Sequence, residues 1–229
     1  MCGIIGYIGK REVVPILLSG LKRMEYRGYD SSGLAVLTNG AISVEKQIGK
    51  IADLEKALCN NKLCGNLGIG HTRWATHGIP SSLNAHPHSA SKRDLALVHN
   101  GIIETFLSLR LELSRKGHTF KTDTDTETLL HLIQEYYRDE PLEEAVRMAL
   151  TRIKGTYGIA VISSKEPDKM VAARMGSPIV LGLGEGENFI ASDLAAFVEY
   201  TKNAVYLNDG EIATLTKDSI VHKSLDGQP

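Results

Sequence analysis

Hydrophobic and polar residues show two different periodic patterns along the first two thirds of the chain. Short apolar runs bounded by turn residues predict strands, whereas apolar residues recurring every three to four positions predict amphipathic helices. The predicted strands are 1–8, 32–37, 42–47, 66–73 and 94–100. The predicted helices are 13–27, 51–58, 106–115, 126–138 and 141–153. Gly28 is a suitable residue to end the first helix, and Asn39-Gly40 is a strong signal for a hairpin turn.

After Gly155 the pattern changes to strands separated by Gly, Pro and Ser turns. These predicted strands are 157–163, 170–174, 179–183, 188–191, 205–207, 211–216 and 219–222. An order of strands, helices and strands favours an α+β fold, with helices packed on largely antiparallel sheets, over a parallel βαβ fold. The stretch 74–93 is a long loop rich in His, Pro, Ser, Asn and Gly, and long loops in compact domains are usually functional. Residues 225–229 resemble a stub that could lead into another domain.

Composition argues against several classes of function, namely those of nucleic-acid-binding, membrane and secreted proteins. The 229 residues fit one large domain or two small ones, and 26 Lys+Arg against 27 Asp+Glu give no basic excess for nucleic acid. The apolar runs are too short to span a bilayer, so we expect neither a nucleic-acid nor a membrane partner. Charged residues from Lys10 onwards interrupt any secretory signal. An odd count of three cysteines favours a reducing cytoplasm, with Cys59 and Cys64 as plain thiols.

Cys2 is the first candidate for chemistry. Removal of Met1, general before a small residue, would leave a thiol and a free α-amino group on one residue. An α-amino group with a pKa of roughly 7.7–8.0 can take the thiol proton, directly or through one water. Taken alone, however, Cys2 fits a buried position at the start of a strand better than a nucleophile.

A second candidate is the segment 71–78, where a strand runs into the long loop. Arg73 offers a planar fork of donors suited to a carboxylate, and Thr76 and His77 add hydrogen-bonding groups. The same residues also fit an ordinary strand end, with Trp74 as core filler. A metal site is a further alternative, disfavoured because no carboxylate or Cys has ligand spacing alongside the histidines. The histidines concerned are His71, His77, His86 and His88.

Two more segments could contact a ligand. Asn100-Gly101 is either a tight turn at a strand end or an oxyanion hole, with a side-chain N–H from Asn100 and a backbone N–H from Gly101. The segment 122–127 fits a helix capping box, and we expect capping to be its main role, with one Asp facing the ligand.

These four features occur together in one family. The chain resembles the N-terminal glutaminase domain of the glutamine–fructose-6-phosphate aminotransferase family, over essentially its whole length. The motifs that carry the resemblance are MCGIIG (1–6), EYRGYDSSG (25–33), GHTRWATHG (70–78), NAHPH (84–88), HNGIIE (99–104), TDTE (124–127), RMGSP (174–178) and GEGENFIASD (184–193).

The resemblance implies a class II glutamine amidotransferase with the four-layer αββα sandwich of N-terminal-nucleophile hydrolases. Cys2 would attack the glutamine amide carbon, and the oxyanion would lie between Asn100 and Gly101. Arg73 would bind the substrate α-carboxylate and Asp125 its α-amino group. The resemblance implies no cofactor and no metal. The remaining implied site residues are Trp74, Thr76 and His77, which would shape the pocket, and Arg27 and Gly28, beside the nucleophile.

Sibling families, namely amidophosphoribosyltransferase, asparagine synthetases and glutamate synthase, share this chemistry. The segments 25–30 and 73–77 favour the hexosamine family over them. Thr105 departs from the Asn usual there, and we expect the change to be tolerated because it lies past the oxyanion motif. The alternative from another class is a regulatory module that binds glutamine or glutamate without hydrolysing it.

The family's full chain continues into sugar-isomerase domains that bind fructose 6-phosphate and use the ammonia to make glucosamine 6-phosphate. We therefore expect residues 1–229 to be one glutaminase domain, isolated or a fragment, that releases glutamate and free ammonia.

Overall fold

The computed structural model describes residues 2–90 and 92–226, so the predicted strand residue Met1 and the end of the predicted stub, 227–229, lie outside the described residues. The helices are α1 Val13–Arg23, α2 Ile51–Asn60, α3 Phe106–Arg115, α4 Asp125–Tyr136 and α5 Leu142–Leu150. The strands of the first half are β1 Gly3–Ile8, β2 Ser31–Thr38, β3 Ala41–Ile48, β4 Leu67–Arg73, β5 His88–Ser89 and β6 Leu95–Ile103. Those of the second half are β7 Gly155–Ser163, β8 Met170–Met175, β9 Val180–Leu183, β10 Asn188–Ala191, β11 Ala204–Tyr206, β12 Glu211–Leu215 and β13 Ile220–Ser224.

The strands form two sheets. The seven-stranded sheet has the order β11-β9-β10-β1-β4-β2-β3, and the six-stranded sheet has the order β13-β12-β8-β7-β6-β5. Within the described residues every ladder between these strands is antiparallel. The N-terminal strand β1 therefore lies inside its sheet, between β10 and β4, and not at an edge.

Three hydrophobic clusters separate four layers. One lies between the sheets, a second joins the seven-stranded sheet to α1 and α2, and the third joins the six-stranded sheet to α3, α4 and α5. Ile4 and Ile5 show why one sheet contributes to two clusters, because successive side chains of a strand point to opposite faces. Ile4 lies between the sheets, whereas Ile5 packs in the cluster with α1. The predicted α+β fold and its αββα layering are confirmed.

Of the two turn and helix-end predictions made from local sequence, the hairpin turn is confirmed and the helix end differs. Asn39 and Gly40 form the predicted hairpin turn, with φ of 50° and 80°. The helix predicted at 13–27 ends at Arg23, because a 3-10 turn over Glu25–Arg27 follows and Gly28 has a φ of 73°. Among the described residues, no helix is long and apolar enough to cross a membrane.

The interpretation of Asn100-Gly101 as a tight turn is wrong. β6 continues to Ile103, and Gly101 pairs with Tyr157 of β7. Gly101 has a φ of 125°, a conformation that glycine adopts readily and other residues rarely. The strand therefore stays paired through this position while its backbone changes conformation.

Candidate active site

A cavity of about 460 Å³ opens at the end of the sandwich where β1 begins and β4 ends. Eight of the ten predicted site residues line it. They are Cys2, Arg27, Arg73, Trp74, Thr76, Asn100, Gly101 and Asp125. The two others, Gly28 and His77, do not line the cavity but lie next to residues that do. A Cβ on Gly28 would be 3.4 Å from the Trp74 ring.

The two-residue period of the strands explains this convergence. On β4, Ile69 lies between the sheets, so His71 and Arg73, two and four residues later, share that face. On β6, Val98 lies between the sheets, and Asn100 follows it with the same parity. Alternation alone thus directs polar side chains of both sheets into the same end of the interior.

Cys2 is held by the backbone of Trp74. The Trp74 amide donates to the Cys2 Sγ at 3.1 Å, and the thiol lies 3.6 Å from the Trp74 carbonyl oxygen. Burial raises the pKa of the Cys2 thiol above its ordinary value, although the Trp74 hydrogen bond and Arg73 oppose this effect. The thiol consequently needs a base before it can act as a nucleophile.

Asn100 is oriented from both ends of its carboxamide. Its Oδ1 lies 2.9 Å from His71 Nε2, and its Nδ2 donates to the Cys2 carbonyl oxygen at 3.4 Å. Because an amide nitrogen carries two protons, Nδ2 still has one to offer towards the cavity. Gly101 follows directly, and an added Cβ there would lie 2.1 Å from the Thr156 carbonyl oxygen.

Arg73 is buried at the cavity wall. Its Nη2 donates to the carbonyl oxygens of His77 and Gly78, the latter at 3.1 Å. Among the described residues, no acceptor bonds its buried Nη1. The guanidinium is therefore fixed on one side and available on the other. His77 contributes its carbonyl to this arrangement, while its ring packs edge-on against Phe106 at 5.0 Å.

Asp125 is the first residue of α4, and its side chain is 4% exposed. Its Oδ2 accepts the backbone N–H of Ile103 at 2.8 Å. Thr124 caps the helix by accepting the Glu127 amide at 3.2 Å, and Glu127 in turn accepts the amide of Thr122 at 2.7 Å. The expected helix cap is confirmed, and Asp125 lines the cavity.

Arg27 closes another side of the cavity. Its Nη1 lies 3.4 Å from the Ser192 carbonyl oxygen and 3.7 Å from Asp193 Oδ2. Thr105, the departure from the family pattern, accepts the Lys154 amide at 3.2 Å and does not line the cavity.

Sequence reasoning missed part of the site. Asp30 is one such residue: its Oδ2 accepts the Ala75 amide at 2.5 Å, and its own amide donates to the Arg73 carbonyl at 2.7 Å. His99 is another, and it lines the cavity with Nδ1 3.0 Å from Thr126 Oγ1. The strand alternation could have indicated the position of His99. Because His99 and Asn100 are neighbours on β6, their side chains point to opposite faces, and that of His99 points towards α4.

Three of the four histidines considered as metal ligands, His71, His86 and His88, pack in a row, whereas His77 packs against Phe106. The rings of His71 and His86 are 4.3 Å apart, and those of His86 and His88 are 4.8 Å apart. Burial lowers the pKa of His71 to about 3 and places those of His86 and His88 well below their ordinary value. Across residues 2–90 and 92–226, no group of three or more His, Cys, Asp or Glu side chains could hold a metal ion.

Comparison with known proteins agrees with this geometry. The glutamine amidotransferase domain family matches residues 52–225. Glutamine–fructose-6-phosphate aminotransferase (isomerizing) of Chlorobaculum tepidum is 54% identical over 99% of this chain, and that of Thermococcus kodakarensis is 51% identical over 99%. The chain spans only 38% of the length of either relative.

Solved structures share the fold. The glutamine phosphoribosylpyrophosphate amidotransferase of B. subtilis, complexed with ADP and GMP, superposes with a TM-score of 0.84 at 26% identity. The match covers 98% of this chain and 49% of that one. A glutamine aminotransferase class-II domain protein from silicibacter pomeroyi superposes with a TM-score of 0.67 at 16% identity, covering 98% of this chain and 99% of that one. The fold is thus that of the N-terminal-nucleophile class II amidotransferases, as the resemblance implied.

The family match extends over most of the chain, and relatives about half identical to it align along essentially its whole length. Both agree with a cavity in which the predicted thiol, carboxamide and opposed charges meet. The chain therefore belongs to the glutamine amidotransferase domain family and is an enzyme domain of that kind.

Proposed function

We propose that this domain hydrolyses the side-chain amide of glutamine to glutamate and ammonia, with Cys2 as the nucleophile once Met1 has been removed. The observation that carries the proposal is the meeting in one cavity of Cys2, Asn100, Arg73 and Asp125. A thiol and a carboxamide suit attack on an amide carbonyl. A cation and an anion nearby suit the two charged groups of an amino acid.

Removal of Met1 supplies the base. The thiol is protonated near neutral pH because burial raises its pKa, and the freed α-amino group of the same residue has a pKa close to neutrality. The amine takes the thiol proton, and the sulfur attacks the amide carbon. The carbonyl oxygen becomes an oxyanion, which Asn100 Nδ2 and the Gly101 N–H stabilise.

Collapse of this intermediate breaks the carbon–nitrogen bond. The Cys2 ammonium returns its proton to the leaving nitrogen, so that ammonia departs and a thioester remains. Water then attacks the thioester, releasing glutamate and restoring the thiol. Each step uses only groups of Cys2 and the oxyanion donors.

Two charges would recognise the amino-acid end of the substrate. The free Nη1 side of Arg73 would bind the α-carboxylate, and Asp125 would bind the α-ammonium while still accepting the Ile103 amide. Trp74, 57% exposed, and Thr76 would form the mouth of the cavity. The positioning parts would be His77, which holds Arg73 through its carbonyl, and Gly28 and Arg27 beside Trp74 and Cys2.

The names of the two relatives describe an aminotransferase that acts on glutamine and fructose 6-phosphate. We infer that residues 1–229 are one glutaminase domain of such an enzyme and that the ammonia converts fructose 6-phosphate to glucosamine 6-phosphate in a sugar-isomerase domain. We also infer that the protein is located in a reducing cytoplasm. The unpaired state of all three cysteines is compatible with this location.

The test combines turnover with mass spectrometry. Intact mass is expected to show loss of Met1, and the protein should release glutamate and ammonia from glutamine in equal amounts. Cys2→Ala should abolish that release, whereas Cys59→Ala should leave it unchanged because Cys59 is exposed outside the cavity.

Three results would contradict the proposal. They are retained Met1 in an active protein, turnover by the Cys2→Ala variant, and stable calorimetric binding of glutamine to the wild type with no ammonia formed. The last result would instead support a binding module.

A further inference from the structure

His71 lies on β4 of the seven-stranded sheet, and Asn100 lies on β6 of the six-stranded sheet. Their side chains meet across the interior, with His71 Nε2 2.9 Å from Asn100 Oδ1. His71 is 0% exposed and does not line the cavity. It therefore reaches the reacting atoms only through Asn100.

We propose that His71 is the positioning residue of the oxyanion site, holding the Asn100 carboxamide with its N–H towards the oxygen of the carbonyl group that Cys2 attacks. The inference deepens the proposed glutaminase function and rests on it. A carboxamide can rotate by half a turn and present oxygen where nitrogen is needed. Oxygen in that place would repel the oxyanion and convert a stabilising contact into a destabilising one.

The position of the proton on the His71 ring determines which way the carboxamide faces. With a pKa near 3, His71 is neutral at neutral pH and carries a single N–H. When that proton is on Nε2, the ring donates to Asn100 Oδ1 and leaves Nδ2 directed at Cys2, whose carbonyl oxygen it contacts at 3.4 Å.

The surroundings of His71 keep its ring in place. It packs against His86 at 4.3 Å, and His86 Nδ1 accepts the backbone N–H of His99 at 3.5 Å. His99 immediately precedes Asn100, so the same ring stack contacts the strand that carries the carboxamide. A short neutral bridge thus connects the two sheets beside the nucleophile.

A matched pair of amide variants tests the role. His71→Gln places an N–H donor at about the reach of Nε2, whereas His71→Asn is one methylene shorter and cannot contact Asn100. We expect kcat for glutamine hydrolysis to fall by about 10- to 100-fold in the Asn variant, less than for loss of an oxyanion donor. KM should stay within about twofold, and the Gln variant should keep kcat within about fivefold of wild type.

A second readout separates positioning from a general structural role. Glutamate γ-semialdehyde can add the Cys2 sulfur at its aldehyde carbon, and the thiol proton ends on the former carbonyl oxygen, which would lie at the oxyanion site. His71→Asn should weaken inhibition by this aldehyde in proportion to kcat and leave inhibition by glutamate unchanged. His71→Leu, which keeps the volume without a donor, should behave like the Asn variant if it folds.

Equal kcat in the Gln and Asn variants would overturn the inference, as would equal losses of aldehyde and glutamate inhibition. Neither result would affect the proposed function, which stands or falls on turnover by the wild-type protein and its loss with Cys2.

Discussion

The two halves of the cavity are built differently. The half proposed to react, Cys2 with Asn100 and Gly101, lies on or beside strands β1 and β6, inside the two sheets. The half proposed to bind the substrate uses the long side chain of Arg73, at the paired end of β4, and Asp125, the first residue of α4. The Gly101 backbone is thus fixed by the ladder between β6 and β7, whereas the Arg73 guanidinium and the Asp125 carboxylate are fixed by a few hydrogen bonds of their own. We expect changes in the first half to alter kcat and changes in the second to alter KM.

Asn100→Ala should show the largest effect. It removes one of two oxyanion donors, which costs on the order of a hundred- to a thousand-fold in kcat. KM for glutamine should change little, because Asn100 would contact the substrate oxygen mainly after attack. Steady-state kinetics measure the split. A large rise in KM at constant kcat would contradict the division between the two halves.

Gly101→Ala tests whether backbone pairing fixes the reacting half. The residue has a φ of 125°, and an added Cβ would lie 2.1 Å from the Thr156 carbonyl oxygen of the neighbouring strand. We expect the free energy of unfolding to fall by about 3 kcal/mol, roughly one from the backbone conformation and two from the steric clash. Urea denaturation measures it.

Gly40→Ala is the matched control for that loss. It also has a positive φ, of 80°, but a Cβ there would meet nothing within 4 Å. Its cost should be about 1 kcal/mol. Equal losses for the two variants would mean that the strand at Gly101 yields easily and that the reacting half is not rigid.

Asp125→Asn probes the binding half. The amide keeps an oxygen that can accept the Ile103 N–H, so the fold should be unchanged. The charge that would bind the substrate ammonium is lost, and a charge-assisted hydrogen bond contributes about 1.5–3 kcal/mol. KM should rise about 10- to 100-fold, with kcat within a few-fold of wild type. A fall in kcat alone would place Asp125 with the reacting groups.

The sequence predicted the parts of this molecule better than their assembly. The Asn39-Gly40 turn and the amphipathic helices are local signals, and the strand–helix–strand order was sufficient for the α+β class. The position of β1 between β10 and β4 depends on pairing with residues far along the chain, which no local pattern specifies.

The same limit applied to the site. Motifs identified Cys2, Arg73 and Asn100 as candidates, and alternation explains why they share a face. The contact between His71 and Asn100 joins two sheets and was not predictable from either strand alone. For the same reason a metal site among the histidines stays open in the sequence, which does not show that His71, His86 and His88 pack ring against ring.

Acid is expected to destabilise the protein through its buried histidines, with the change spread over several pH units. The buried histidines of the site, His71, His86, His88 and His99, all have a pKa lowered by burial. Between an unfolded value near 6.5 and the native value, the unfolded chain binds the proton and the native protein does not. The free energy of unfolding therefore falls as pH falls below about 6.5, by up to about 1.4 kcal/mol per pH unit for each such histidine.

Urea denaturation at several values between pH 7 and pH 5 measures this slope. His71→Gln should reduce the slope by up to about one proton at the acid end of this range, since the pKa of His71 is about 3 and the ring in the unfolded chain is almost fully protonated by pH 5. His222→Gln, a change at an exposed position of β13 outside the site, is the control variant. If both variants kept the wild-type slope, His71 would already be protonated in the native protein. A charged ring would donate from both nitrogens, and the assignment of its single proton to the Asn100 contact would then be wrong.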